Sequence, residues 1–294
     1  MPCSTMGFQR LYKVFFPLTL VLVVLYITSV RLPEVHLSEC VEDGKPCAED
    51  LAENEVSLTE EKAVARGGDP HQAESEVYIK HCDGKDFQVR RLLAAFRHCV
   101  TPEGQVLLKD YLEGWKELIK FMDALGTVFG FISQETITKI NIMQSYRTGK
   151  HSDEYHTLES MVKYELQDNV VNFKELPSNR TPSGCRTLLR LHRALKWLEL
   201  FLYKLATSTD QDSTSDMCAD AYEEALARHH SWFIRQAASI AFLALPPRRT
   251  LFDIVCVQEE QEAQMVLMTT VKALVRVYNI TQEVYTAHGM LDLP

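Results

Sequence analysis

The sequence predicts an all-α domain that follows an N-terminal membrane segment and an acidic linker. Three observations carry that prediction. From about residue 84 onward, apolar residues recur at helical spacing. No run alternates polar and apolar residues over the length of a strand, and no Gly-rich turns fall at strand spacing. Gly (12) and Pro (11) are few in 294 residues, which excludes collagen-like and Pro-rich architectures. With 46% hydrophobic and 24% charged residues, the composition is that of a globular chain with room for one large or two ordinary domains.

Residues 1–31 form the first element. Val14 to Val30 contains 17 residues without a charge, preceded by Arg10 and Lys13 and followed by Arg31 and an acid-rich stretch. About 17–25 apolar residues span a bilayer as a helix. Basic residues before the run and acid after it predict a cytoplasmic N-terminus and a luminal remainder. The run reads as a signal-anchor or as a cleavable signal peptide. Its length favours the anchor, and Thr28-Ser29-Val30 makes a weak cleavage site. Either way it predicts a membrane-anchored or secretory-pathway protein.

Residues 32–83 form the second element, a linker without sustained apolar period. The stretch 34–76 holds 13 acidic and 3 basic residues, more than the whole formal charge of −9, so the remainder is close to neutral. High charge with little to bury favours disorder, and Gly67-Gly68-Asp69-Pro70 breaks any regular structure. The acidic balance argues against a nucleic-acid partner.

Residues 84–294 are long enough to bury a sizeable core. Their periodicity predicts helices over Phe87–Cys99, Gln105–Leu125, Ile132–Tyr146, Glu154–Val171, Cys185–Leu205, Asp216–Leu245 and Glu262–His288, the last with a break near Tyr278-Asn279. Gly149, Pro182-Ser183-Gly184 and Pro246-Pro247 supply the stops. Cys99, Cys185, Cys218 and Cys256 lie among apolar helical residues and read as buried thiols. Cys40 and Cys47 are candidates to pair in an oxidising compartment. Asn179-Arg180-Thr181 and Asn279-Ile280-Thr281 are glycosylation sequons.

No phosphate-cradling Gly-rich loop, nucleophile elbow or His-Glu-x-x-His motif is present. The adjacent His229 and His230 would point about 100° apart on a helix, which ill suits one metal. No enzyme, metal or cofactor is expected. The fifth helix is more informative. Steps of about 100° gather Arg186, Arg190, Arg193 and Trp197 on one face and Leu188, Leu191, Leu195, Leu198 and Leu202 on the other. This is either a solvated basic face or an anion site in which arginines at i and i+4 fork onto one phosphate. Glutamates at i+4, the usual partners of solvated arginines, are missing. On the third helix Glu135 and Lys139, also i and i+4, are either a surface ion pair or a second polar couple of the same site.

Three stretches resemble the glycolipid transfer protein superfamily: Cys185 to Leu202, His230-Ser231-Trp232, and Val277-Tyr278-Asn279-Ile280 with the terminal Leu291-Asp292-Leu293-Pro294. The resemblance runs from about Phe87 to Pro294 and is greatest to the branch that carries ceramide 1-phosphate. It implies a two-layer helical sandwich that encloses lipid chains in an apolar pocket and holds the head group at the surface. It implies that Lys139, Arg186 and Arg190 bind the lipid phosphate. In the sugar-binding branch an asparagine and a tryptophan stand where Lys139 and Arg190 stand here. Glu135 occupies the place of the family's ceramide-amide aspartate, one methylene longer, and His230 that of its linkage histidine. Trp232 matches a tryptophan near the membrane-facing surface. The implied activity is binding and intermembrane transfer of a phosphorylated sphingolipid, with ceramide 1-phosphate and membrane surfaces as partners. A membrane-tethered sensor or adaptor that binds lipid without shuttling it is the alternative. Relatives of the family work in the cytosol, which conflicts with the N-terminal signal.

Overall fold

A computed structural model of the chain describes residues 79–175 and 181–294. The expected membrane segment (1–31), nearly all of the linker (32–83), Cys40, Cys47 and the Asn179 sequon lie outside the described residues. Among the described residues no helix is long and apolar enough to cross a membrane.

The described residues form nine α-helices and no strand beyond isolated bridges: α1 Val89–His98, α2 Leu108–Ala124, α3 Gly130–Thr148, α4 Leu158–Gln167, α5 Gly184–Thr207, α6 Thr214–Ala225, α7 Trp232–Phe242, α8 Arg248–Ile254 and α9 Glu260–Ala287. Helix α5 is central, packed by α9, α6, α3 and α4, while α1 rests on α2 and α9. Its leucine stripe explains this position: Leu188, Leu191, Leu195, Leu198 and Leu202 are all buried, and an apolar face of that width is stable only when covered.

The entry to α5 is fixed by a carboxylate. Glu165 on α4, fully buried, accepts from the backbone N–H of Gly184 (2.5 Å) and Cys185 (3.0 Å) and from the Tyr155 hydroxyl (2.9 Å). The Ser183 side chain accepts from the Arg186 N–H at 3.3 Å. Together these satisfy the unpaired donors of the first turn and set a negative charge at the positive end of the helix. The close approach also explains Gly184, where a Cβ would fall 2.7 Å from the Met161 sulfur.

Four expectations need correction. The stretch Asp216–Leu245 is not one helix: it breaks between α6 and α7 through a 3₁₀ turn at Ala227–His229. No Gly or Pro marks that break, which is held instead by the Tyr222 hydroxyl against His230 Nδ1 at 2.7 Å. Helix α8 was not anticipated, because Pro246-Pro247 reads as a stop, whereas a proline immediately before a helix also pre-sets its first turn. Helix α9 runs unbroken through Tyr278-Asn279, with Tyr278 stacked on His192 at 4.2 Å between ring centroids. Finally, Cys256 is not a thiol: it is disulfide-bonded to Cys82. Cys99, Cys185 and Cys218 are free and buried.

Candidate functional site: a cationic cluster on the central helix

Arg186, one turn into α5, is only 2% exposed. One terminal nitrogen of its guanidinium donates to the carbonyls of Asn172 and Glu175, each at 2.9 Å, while its Nε–H is buried without a partner. Arg190, one turn on and half-buried, makes only long contacts, to the carbonyls of Arg186 (3.5 Å) and Leu293 (3.4 Å). Arg193 donates to the Leu291 carbonyl at 2.5 Å. The chain terminus thus lies along the basic face of α5, which accounts for the terminal Leu-Asp-Leu-Pro in the sequence pattern.

Burial pushes the guanidinium pKa down at all three positions, and neighbouring arginines add to the effect at Arg190 and Arg193; Arg193 falls to about 10. These groups stay charged at neutral pH; Glu165 acts on Arg186 and Asp292 on Arg193 from beyond ion-pair distance. Among the described residues no salt bridge reaches Arg186, Arg190 or Arg193. Partly buried cations without counter-ions favour an anion.

His230 joins the cluster from the α6–α7 break. Its pKa is lowered, first by burial and then by the nearby charges of Lys139 and Arg193. The imidazole is therefore neutral at pH 7. The Tyr222 hydroxyl sits on Nδ1; a Tyr222 O–H donated to Nδ1 assigns the ring proton to Nε2. Neighbouring His229 is pushed down to about 4 by burial and by Arg193 and Arg228. Lys139 of α3 is ion-paired with Glu135, whose side chain is 71% exposed.

The charges of Lys139 and Arg193 both act on His230, Arg190 acts on Arg193 and Arg186 on Arg190, while Glu135 is ion-paired with Lys139. Trp232 opens α7 two residues beyond His230 and is 57% exposed; Phe233 (58%) and Ile234 (50%) extend it into an apolar patch. Trp197 does not belong to the basic face. It is buried beside Tyr222 and Phe242 and directs its indole N–H to the Cys218 carbonyl at 3.4 Å. Arg193, Arg228 and the terminal carbonyls were not singled out as site residues. Arg193 was legible as the i+7 member of the arginine stripe, whereas Arg228 and the terminus are joined to it only by the fold.

Two open hollows with polar linings lie elsewhere on the described residues. One is lined by Lys204, Asp212, Asp216 and Asp220, the other by Glu259, Glu260, Gln261 and Gln264. The buried apolar side chains beneath α5 belong to one continuous core cluster.

The fold is that of a known family of helical proteins. The sequence pattern of the Glycolipid transfer protein (GLTP) family matches residues 106–257, and the chain belongs to that family. It is similar to ceramide-1-phosphate transfer protein of Xenopus laevis, at 44% identity over 209 residues that cover 71% of this chain and 97% of the relative. The Danio rerio protein of the same name is 45% identical over 208 residues, covering 71% and 98%. Among solved structures, human ceramide-1-phosphate transfer protein in complex with 2:0 ceramide-1-phosphate superposes with a TM-score of 0.68 at 41% identity, covering 71% of this chain and 99% of that one.

Proposed function

We propose that this chain binds a phosphorylated sphingolipid, foremost ceramide 1-phosphate, and transfers it between membranes. One observation carries the reading: Arg186, Arg190 and Arg193 share one helix, partly or wholly buried and outside any salt bridge of the described residues, and the charges of Arg193 and Lys139 both act on His230. Its similarity to proteins named for ceramide 1-phosphate supports the choice of ligand.

The roles follow from the chemistry. Arg190, held only by long contacts, swings onto a phosphate at little cost. Arg186 offers the Nε–H that otherwise has no acceptor. Lys139 exchanges Glu135 for the phosphate, which frees that carboxylate to accept from the ceramide amide N–H. His230, neutral, donates from Nε2 to an oxygen of the lipid linkage. Trp232, with Phe233 and Ile234, enters the membrane interface, where an aromatic ring with a polar edge is favoured.

No covalent bond breaks. Each methylene exposed to water costs about 0.8 kcal/mol, so a 16-carbon chain crossing water bare would cost on the order of 12 kcal/mol. The protein removes that cost by accepting the chains as they leave the bilayer. Inside the domain their methylenes lie against its apolar core. Chain burial is then nearly neutral between bilayer and protein, and the head group decides what is carried.

The test is mass spectrometry of lipid retained by the purified domain, followed by transfer between vesicles of ceramide 1-phosphate, ceramide and a glycosylceramide. Retention and transfer of the phosphorylated lipid alone is expected. Retention without transfer would point to the tethered sensor, and absence of phosphorylated sphingolipid would end the reading.

A further inference from the structure

The Cys82–Cys256 bond closes a loop spanning 174 positions, with Cα atoms 5.6 Å apart, inside the ordinary range for a disulfide. Each side of the bond has its own support. The backbone N–H of buried Cys82 donates to Gln88 Oε1 at 3.0 Å. The Gln88 amide donates back to the carbonyls of Cys82 (2.7 Å) and Lys85 (2.8 Å). Gln88 is in turn tied to α2 through Glu117, which accepts from its N–H at 3.3 Å. Opposite, Cys256 lies in the turn between α8 and α9 at φ +58, and backbone bonds Cys256 N–H to Asp253 and Val257 N–H to Phe252 close that turn. A left-handed position is cheapest for glycine or asparagine. A cysteine there answers to its sulfur rather than to the turn.

Disulfides persist in oxidising compartments and are rare where glutathione keeps thiols reduced. The remaining described cysteines are suited to such a compartment: Cys99, Cys185 and Cys218 are fully buried, and burial pushes their thiols well above the usual range, which suppresses exchange.

A second, independent feature agrees. Asn279 of the Asn-Ile-Thr sequon is exposed on α9, whereas Val277 and Thr281, two residues either side, are buried on the opposite face. The Asn279 amide points outward, with room for an oligosaccharide. The Thr281 hydroxyl, which a sequon-reading transferase must reach, is buried and donates to the Val277 carbonyl at 2.9 Å. Attachment of a sugar at this sequon therefore requires that α9 be still unfolded.

We propose that this domain matures in an oxidising lumen, with Cys82 and Cys256 joined and an N-linked oligosaccharide on Asn279. In the glycosylation, which comes first, the Asn279 amide nitrogen bonds to the anomeric carbon of a lipid-diphosphate-linked oligosaccharide; the lipid diphosphate leaves and the amide gives up one proton. In the oxidation the two thiols lose two protons and two electrons to a disulfide-bearing oxidoreductase, whose own disulfide becomes a dithiol. The proposal does not rest on the lipid reading, and its test does not measure lipid.

The full chain is expressed in mammalian cells, free thiols are alkylated before lysis, and the protein is digested without reductant. We expect a linked Cys82–Cys256 peptide that separates on reduction, and an N-glycosidase shift that Asn279→Gln reduces by one glycan. Alkylated Cys82 and Cys256, or an unmodified Asn279 in the wild-type chain, would overturn the proposal.

Discussion

Replacing Arg190 by leucine separates head-group recognition from folding better than any other change at the site. Arg186 is a poor probe, because its guanidinium also holds the Asn172 and Glu175 carbonyls, and losing it would leave buried acceptors unpaired. Arg190 has only its two contacts of 3.4 and 3.5 Å, at the weak edge of hydrogen bonding. Its removal also relieves repulsion from Arg186 and Arg193, so stability should change by less than about 1 kcal/mol. A hydrogen bond to a charged group contributes about 1.5–3 kcal/mol, and a forked arginine makes two. Arg190→Leu should then weaken binding of ceramide 1-phosphate by at least about 3 kcal/mol, or more than a hundredfold. The assay pairs transfer of a fluorescent ceramide 1-phosphate between vesicles with urea unfolding of the same sample. Near-abolished transfer at an unchanged urea midpoint is expected. Transfer at the wild-type rate would refute the phosphate assignment, and a loss of transfer that merely tracks a loss of stability would make Arg190 structural.

Three further outcomes are expected. Trp232→Ala combined with Phe233→Ala should reduce sedimentation with vesicles while leaving binding of a short-chain, water-soluble ceramide 1-phosphate intact. His192 is 1% exposed, stacked on Tyr278, and pushed down to about 4 by burial. Because the unfolded imidazole binds its proton near pH 6.5, the stability that its neutral form carries is complete above that pH and is lost as pH falls from 6.5 toward 4. Between pH 7 and pH 5 this amounts to about 2 kcal/mol, and His192→Phe should remove that share of the acid sensitivity in urea titrations. Gly114→Ala puts a Cβ 2.7 Å from the Phe96 ring, where α1 crosses α2. Overpacking of this kind should cost about 1–3 kcal/mol in urea unfolding, more than the helix propensity it gains.

The proposed cation cluster draws on α3, α5 and the α6–α7 break, and those parts were unequally visible beforehand. Arg186, Arg190 and Arg193 share a helix, so their common face follows from 3.6-residue periodicity alone. Lys139 and His230 were assigned by resemblance, since nothing local distinguishes a ligand lysine from one in a surface ion pair.

By itself the sequence determined the helical class, the leucine face that makes α5 the centre, and the arginine stripe on its other side, because periodicity within one helix is a local property. It misplaced Trp197, since angular position on a helix does not reveal how far a neighbouring helix wraps around it. Tertiary structure alone decided that α6 and α7 part at His230, that Cys256 meets Cys82, and that the carbonyls of Leu291 and Leu293 accept from Arg193 and Arg190. Each depends on contacts between residues distant along the chain, whose pairing follows from how the helices pack together and leaves no periodic trace in any one of them.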